Sequence, residues 1–173
     1  SGHSVGSIMA NPTVAELCVI VPSTLQIPRA DGSTAMSRVE QRMLYLQLMD
    51  PSSNAYNVPF KYEFDDGVEV QANLRRLIDT TDILRTRFVD GQPVPVEQEI
   101  PILVDGSEID MTAPFDLVNG PLCRFSVSGQ VLTVCFHHSI VDGRSVRLIA
   151  DRLISSDSAP EEERSARDYA AWE

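Results

Sequence analysis

The chain has 173 residues and a formal net charge of −11, with 14 Lys and Arg against 25 Asp and Glu. That acidic balance repels phosphate backbones and anionic lipid, which argues against nucleic-acid or membrane-surface binding. At 43% hydrophobic residues the chain can build one packed core, while apolar runs such as Cys18 to Val21 are far too short to span a bilayer.

No basic and apolar leader opens the sequence, so no secretory signal is expected. The three cysteines, Cys18, Cys123 and Cys135, are widely spaced and form no CxxC pair. Cys123 and Cys135 lie in apolar, strand-like surroundings. Buried free thiols in a reducing cytoplasm are expected.

In chain order, residues 1–35 read as a lead-in. Asn11 to Leu17 (NPTVAEL) fits a helical turn or two, with Pro12 at a first-turn position. The Pro-, Ser- and Gly-rich stretch after it reads as an extended linker. The body begins at Ser37, where Ser37 to Glu40 (SRVE) fits a capping box, and the helix it starts should run to Met49 and stop before Pro51. On it, Met43 and Leu46 are expected in the core, as is Phe115 further on. Tyr56 to Phe64 reads as a strand ending at a DDG turn.

Val68 to Asp82 reads as a helix with Val70, Leu74, Leu77 and Ile78 on one face. Leu84 to Val89 reads as a short strand, followed by a DGQP turn and a second strand near Val94 to Gln98. Leu122 to His138 reads as a hairpin turning at Ser128-Gly129-Gln130. Next comes an amphipathic helix with Val146, Ile149, Ala150 and Leu153 at helical spacing. The chain closes on an acidic linker and a short helix carrying Tyr169 and Trp172. Strands mixed with helices in this order predict an α/β sandwich built on one mixed sheet with helices packed on it.

The chemistry-bearing stretch is FHHSIVDGRS, Phe136 to Ser145. In a strand, Leu132, Val134, Phe136 and His138 share one face, and Thr133, Cys135 and His137 share the other. Adjacent strand histidines diverge, and the only other histidine is His3, so no metal site is expected. Two readings remain. In one, an imidazole faces a cavity and accepts a proton while the fold holds its neighbour. In the other, both are satisfied polar residues at a strand end. Asp142 could cap the next helix or pair with an arginine.

His137 to Gly143 (HHSIVDG) resembles the HHxxxDG signature of nonribosomal peptide synthetase condensation domains, in the chloramphenicol acetyltransferase-like superfamily. Ser37 to Pro59 is similar to that family's first motif, with Ser37, Gln41, Arg42 and Tyr45 carrying the match. Leu84, Arg85, Thr86 and Phe88 resemble the second motif, RHExLRTxF. Thr80, Thr81 and Asp82 stand where the family has Arg-His-Glu, so no role of that His-Glu pair carries over. Ala113 to Phe125 (APFDLVNGPLCRF) resembles the PFDL…GPLxR stretch, and RDYAAWE at the end resembles ADYAxWQ. The resemblance runs from about Gln26 to Glu173.

The resemblance implies a chloramphenicol acetyltransferase-like lobe over residues 36–173, the N-terminal half of a domain whose C-terminal lobe is absent. It implies that residues 1–35 combine a tag or carrier-protein remnant with a linker. Gly2-His3-Ser4 is similar to a phosphopantetheine-attachment motif, but lies too close to Asn11 for a carrier's intervening helices, so a tag is expected. The implied reaction is peptide-bond formation between thioesters carried on phosphopantetheine arms, with no cofactor bound by the lobe itself. His138 is the implied catalytic residue; His137, Asp142, Gly143 and Arg85 are implied in supporting roles, with Arg85 or Arg42 as partner for Asp142. Gln41, Arg42 and Tyr45 are expected to pack and hydrogen-bond. The implied partners are donor and acceptor carrier domains and the second lobe, with self-association through an exposed face. An epimerization lobe, a CoA-dependent acyltransferase and a carrier-docking module without catalysis are the rival readings.

Overall fold

Local sequence signals start the fold. The computed structural model describes residues 34–104, 106–154 and 166–172; Cys18, the expected turn at Asn11 to Leu17, the linker after it and the acidic stretch 155–165 lie outside them. Helix α1 (Arg38–Met49) opens on a complete capping box. Ser37 Oγ accepts the Glu40 amide at 3.2 Å, and the Glu40 carboxylate accepts the Ser37 amide at 2.8 Å. The helix ends at Asp50, just before Pro51. Its inward residues are Glu40, Leu44 and Gln47. Met43 and Leu46, expected in the core, are only half-buried, because the inward stripe is rotated by one position.

Strand β1 (Asn57–Glu63) follows. Helix α2 (Val70–Thr80) buries Val70, Leu74, Leu77 and Ile78, the four positions its periodicity selects. The expected strand from Leu84 instead begins as a 3-10 turn (Asp82–Arg85), and only Thr86–Val89 forms β2. Its partner β3 (Gln92–Pro95) starts earlier than expected. Asp90 and Gly91 both take positive φ, 51° and 73°, so the connection is a two-residue turn and pairing resumes at once.

A two-residue strand β4 (Ile102–Leu103) precedes the hairpin of β5 (Cys123–Ser128) and β6 (Val131–His137). The main sheet has the order β1-β6-β5-β4, with β4 parallel to β5 and the other pairs antiparallel. The β2–β3 hairpin stands apart as its own two-stranded sheet. Helices α3 (Gly143–Ile154) and α4 (Ala166–Trp172) complete the described residues. This is the mixed α/β architecture expected from the order of elements.

The core runs between the sheet and helices α2 and α3. Leu74, Leu122, Leu132, Val134, Phe136 and Leu153 are fully buried, and Phe125 meets Phe136 edge to face at 5.8 Å. Tyr62 Oη donates to the Val146 carbonyl at 3.0 Å, and Asn73 donates to Leu153 at 2.9 Å, tying α3 to β1 and α2. Ala150, assigned to the inward stripe, is half-buried. At the far side Arg167 donates to the Ala35 carbonyl at 2.7 Å and to the Glu40 carboxylate, so α4 is tied to the α1 cap. Tyr169 and Trp172 remain exposed. Cys123 and Cys135 are buried free thiols, as expected. No helix among the described residues is long and apolar enough to cross a membrane.

Candidate functional site

Strand β6 carries the site to its position. The ladder with β1 ends at the Asn57–His137 pair, and one step further the His138 amide donates to the Tyr56 carbonyl at 2.9 Å. The His138 backbone is therefore an extension of the sheet, although the strand stops at His137. Phe136 and His137 are fully buried, whereas His138 is exposed. Alternation alone placed His138 with Leu132, Val134 and Phe136, which are buried. It is exposed instead because the covering of the strand ends at His137, although the pairing goes one step further.

His137 sits in a closed seat. Tyr56 and Phe115 meet its ring edge to face at 6.2 and 5.9 Å. Nδ1 lies 2.8 Å from Ser139 Oγ and accepts the Ser139 amide at 3.2 Å. Nε2 lies 3.3 Å from Gln47 Oε1. Burial, with a smaller contribution from His138, depresses its pKa to about 4. His137 is thus a neutral ring with both nitrogens engaged. Among the described residues nothing hydrogen-bonds the His138 ring. Of the two adjacent rings, His138 is the exposed one.

The rest of the motif turns the chain into α3. The Ile140 amide donates to the His137 carbonyl at 3.1 Å, and Ser139, Ile140 and Val141 are buried. Asp142 is the cap of α3: one carboxylate oxygen accepts the Ser145 amide at 2.7 Å and the Ser145 hydroxyl at 2.6 Å. Those two bonds, the hydroxyl first, hold its pKa below the usual carboxylate range. Gly143 opens the helix, and a Cβ built on it meets nothing within 4 Å.

Among the described residues no arginine pairs with Asp142, contrary to expectation. Arg85 pairs with Asp82, three residues earlier, at 3.0 Å. Among the described residues no ion pair joins Asp142 to Arg85 or Arg42. Asp142 finds its donors locally, so the capping alternative is the one adopted. Tyr45 and Arg42 point to solvent rather than packing, while Gln41 donates to the Met36 carbonyl at 2.9 Å. Among the described residues no cluster of three metal-ligating side chains occurs.

Residues outside the histidine motif build the seat. Arg124 donates to the carbonyls of Asp110, Ala113 and Pro114 at 3.1, 2.9 and 2.7 Å. Its guanidinium lies 3.8 Å above the Phe115 ring, whose edge contact with His137 closes the seat. Asn57 donates to Met111 and Ala113 at 2.8 and 2.9 Å, fixing the same loop from β1. Gly120 has φ +62°, and an added Cβ would lie 3.3 Å from both Arg87 Cβ and Val96 Cγ2, so a side chain before Pro121 would be strained and crowded. Gln47 is the residue that sequence reasoning missed. Its signal was a polar side chain on the inward face of an amphipathic helix. A cavity of about 370 Å³ beside it is lined by Leu48, Pro51, Phe115, Leu117 and Val118.

Comparison with known proteins follows this geometry. The condensation-domain family model matches residues 31–173. The chain is 30% identical over 197 residues to tyrocidine synthase 2 of Brevibacillus parabrevis, an alignment covering 96% of this chain and 6% of that protein. It is 28% identical over 170 residues to bacitracin synthase 2 of Bacillus licheniformis, covering 84% of this chain and 6% of that one. The chain therefore spans a small fraction of the curated relatives it matches. Among solved structures, the starter condensation domain of rhizomide synthetase superposes with a TM-score of 0.59 at 21% identity, over 71% of this chain and 36% of that one. A four-domain nonribosomal peptide synthetase bound to AMP and glycine superposes at 0.61 and 19% identity, over 88% of this chain and 14% of that one. At these identities the structural likeness carries the fold.

Proposed function

The chain belongs to the condensation-domain family, and from that premise we propose that it is the N-terminal lobe of a peptide-bond-forming domain in a nonribosomal peptide synthetase, with His138 at its reaction centre. The observation that carries this reading is the division between the two rings: His137 has both nitrogens engaged, while His138 is exposed on a backbone pinned to β1.

The substrates are two acyl groups held as thioesters on the phosphopantetheine arms of donor and acceptor carrier domains. The acceptor α-amine attacks the donor carbonyl carbon. A C–N bond forms, the C–S bond breaks, and the donor thiol leaves with the proton. An α-amine with a pKa near 8 is already partly neutral at pH 7, so orienting it counts alongside removing its proton. His138 supplies the imidazole for both tasks. The open space at Gly143 leaves room for an arm to pass the backbone, and the Gly143 amide, at the start of α3, is the one that faces developing negative charge.

A second lobe supplies the opposite wall, and the lobe alone is inactive. Val39, Tyr45, Leu48 and Met49 are exposed on α1, which supports self-association of the isolated lobe. The setting is cytoplasmic.

The test uses the synthetase carrying this chain, with both carriers loaded. His138→Ala should lower dipeptide formation by about 10²-fold or more while carrier loading persists. Turnover at the wild-type rate would remove His138 from the chemistry and leave the carrier-docking reading in its place.

A further inference from the structure

Resting on His138 as the reactive ring, we propose that Gln47 is a positioning residue of this site: it locks His137 in the Nε2–H tautomer and clamps the histidine pair to the end of α1. Gln47 is buried, 3% exposed, on the inward face of the helix. Its amide nitrogen lies 3.0 Å from the Ser53 carbonyl, 3.3 Å from Pro51 and 3.4 Å from Asp50. Three acceptors surround one end of the carboxamide, and only the NH₂ group can satisfy them. The amide orientation is therefore dictated by its surroundings, and Oε1 must face His137.

An oxygen facing Nε2 at 3.3 Å requires a proton on Nε2. The opposite side of the ring gives the same answer independently. The Ser139 amide has only a proton to offer, so Nδ1 must accept it. The two ends agree on one neutral tautomer. Tyr56 in the turn just before β1, Phe115 with Arg124 stacked on it, and His138 are the other groups around the ring.

The consequence reaches the neighbouring residue through the backbone. A ring held at both nitrogens fixes the His137 side chain, and the next peptide unit carries His138. A neutral His137 also places no positive charge beside the free imidazole. Gln47 acts through His137, joining the loop after α1 to the end of β6 across 90 residues of sequence.

The chain contains three histidines, His3, His137 and His138, so a ¹⁵N-histidine-labelled sample gives a spectrum simple enough to assign. Long-range ¹⁵N–¹H correlation reads the tautomer directly. The wild-type protein should show His137 with protonated Nε2 and bare Nδ1, unchanged between about pH 5 and 7. Gln47→Met keeps the length and removes the amide, and should abolish the single-tautomer pattern. Gln47→Glu places a carboxylate opposite Nε2–H and should raise the protonation midpoint of that ring. In the synthetase with loaded carriers, Gln47→Met should lower kcat about tenfold with KM little changed.

A wild-type Nδ1–H tautomer overturns the proposal even if a variant fails to fold. An unchanged His137 spectrum in folded Gln47→Met overturns the lock. A lost lock with wild-type kcat overturns the positioning role. A wild-type synthetase that forms no peptide bond refutes the functional reading alone, and the spectra then decide the lock.

Discussion

His137 and His138 are chemically identical and covalently adjacent, yet the fold gives them opposite surroundings. One ring is enclosed by Tyr56, Phe115, Gln47 and Ser139; the other has its backbone fixed and its ring exposed. The difference arises where strand β6 ends. Through His137 the strand is paired with β1, and from Val134 to His137 every residue is buried; at His138 the pairing continues through the amide while the covering stops. A site needs a group that is held but not satisfied, and the last paired position of a strand provides one. The enclosed neighbour contributes rigidity rather than reactivity.

The comparison breaks most sharply by removing each ring in turn. His138→Ala should lower turnover by about 10²-fold or more and leave stability within about 0.5 kcal/mol, because the side chain is exposed. His137→Ala should act mainly on stability, with turnover falling about tenfold because the ring that Gln47 clamps is gone. It empties a closed seat, orphans Gln47 Oε1 and leaves the Ser139 amide unpaired, at a cost of about 3 kcal/mol or more. Urea denaturation of both variants reads the split. Equal destabilisation by the two would mean that the His138 ring is also packed.

Acidity sharpens the same contrast. His137 protonates at about 4 in the folded chain and near 6.5 when unfolded. Between those values the unfolded state binds a proton that the folded state refuses. Stability contributed by this group therefore falls as the pH drops from about 6.5 to about 4, and no further below that. The loss is on the order of 3 kcal/mol. Unfolding free energies measured across that window should slope in the wild type, and His137→Asn should lose most of the slope. A flat wild-type profile would mean that water reaches the ring.

How much of this was readable in the sequence depends on distance along the chain. The α1 capping box spans four residues, the α2 stripe runs from Val70 to Ile78, and the β5–β6 hairpin turns on Gly129-Gln130; each is a local pattern, and each formed as expected. The Asp90-Gly91 turn was seen but read as longer than it is, which displaced β3 by two residues. Strand β4 is two residues long and leaves no alternation to detect. The histidine motif was legible because its neighbours in sequence are also its neighbours in space. Gln47 was not, because its partner lies 90 residues away and its own segment reads as an ordinary amphipathic helix. The arginine sought for Asp142 failed for the opposite reason: each group finds a partner within three residues of itself, Arg85 in Asp82 and Asp142 in Ser145.

Asp142 allows the smallest test, and it separates the support of the loop from the support of the ring. As the cap of α3, its carboxylate accepts two bonds from Ser145, and Asp142→Ala should cost about 1 kcal/mol. Asp142→Asn keeps an acceptor and should cost less. Its hydrogen bonds depress the folded pKa below the unfolded value, which is about 3.9. The charged cap therefore stabilises fully above that value, and its contribution is lost as the pH falls through the lower, folded pKa. The asparagine variant should flatten the stability profile only below about pH 4, leaving intact the slope between about 4 and 6.5 that His137 produces. If Asp142→Asn instead erased the upper slope, the cap and the imidazole would titrate as one unit, and the enclosed ring would owe its neutrality to the helix start as well as to its seat.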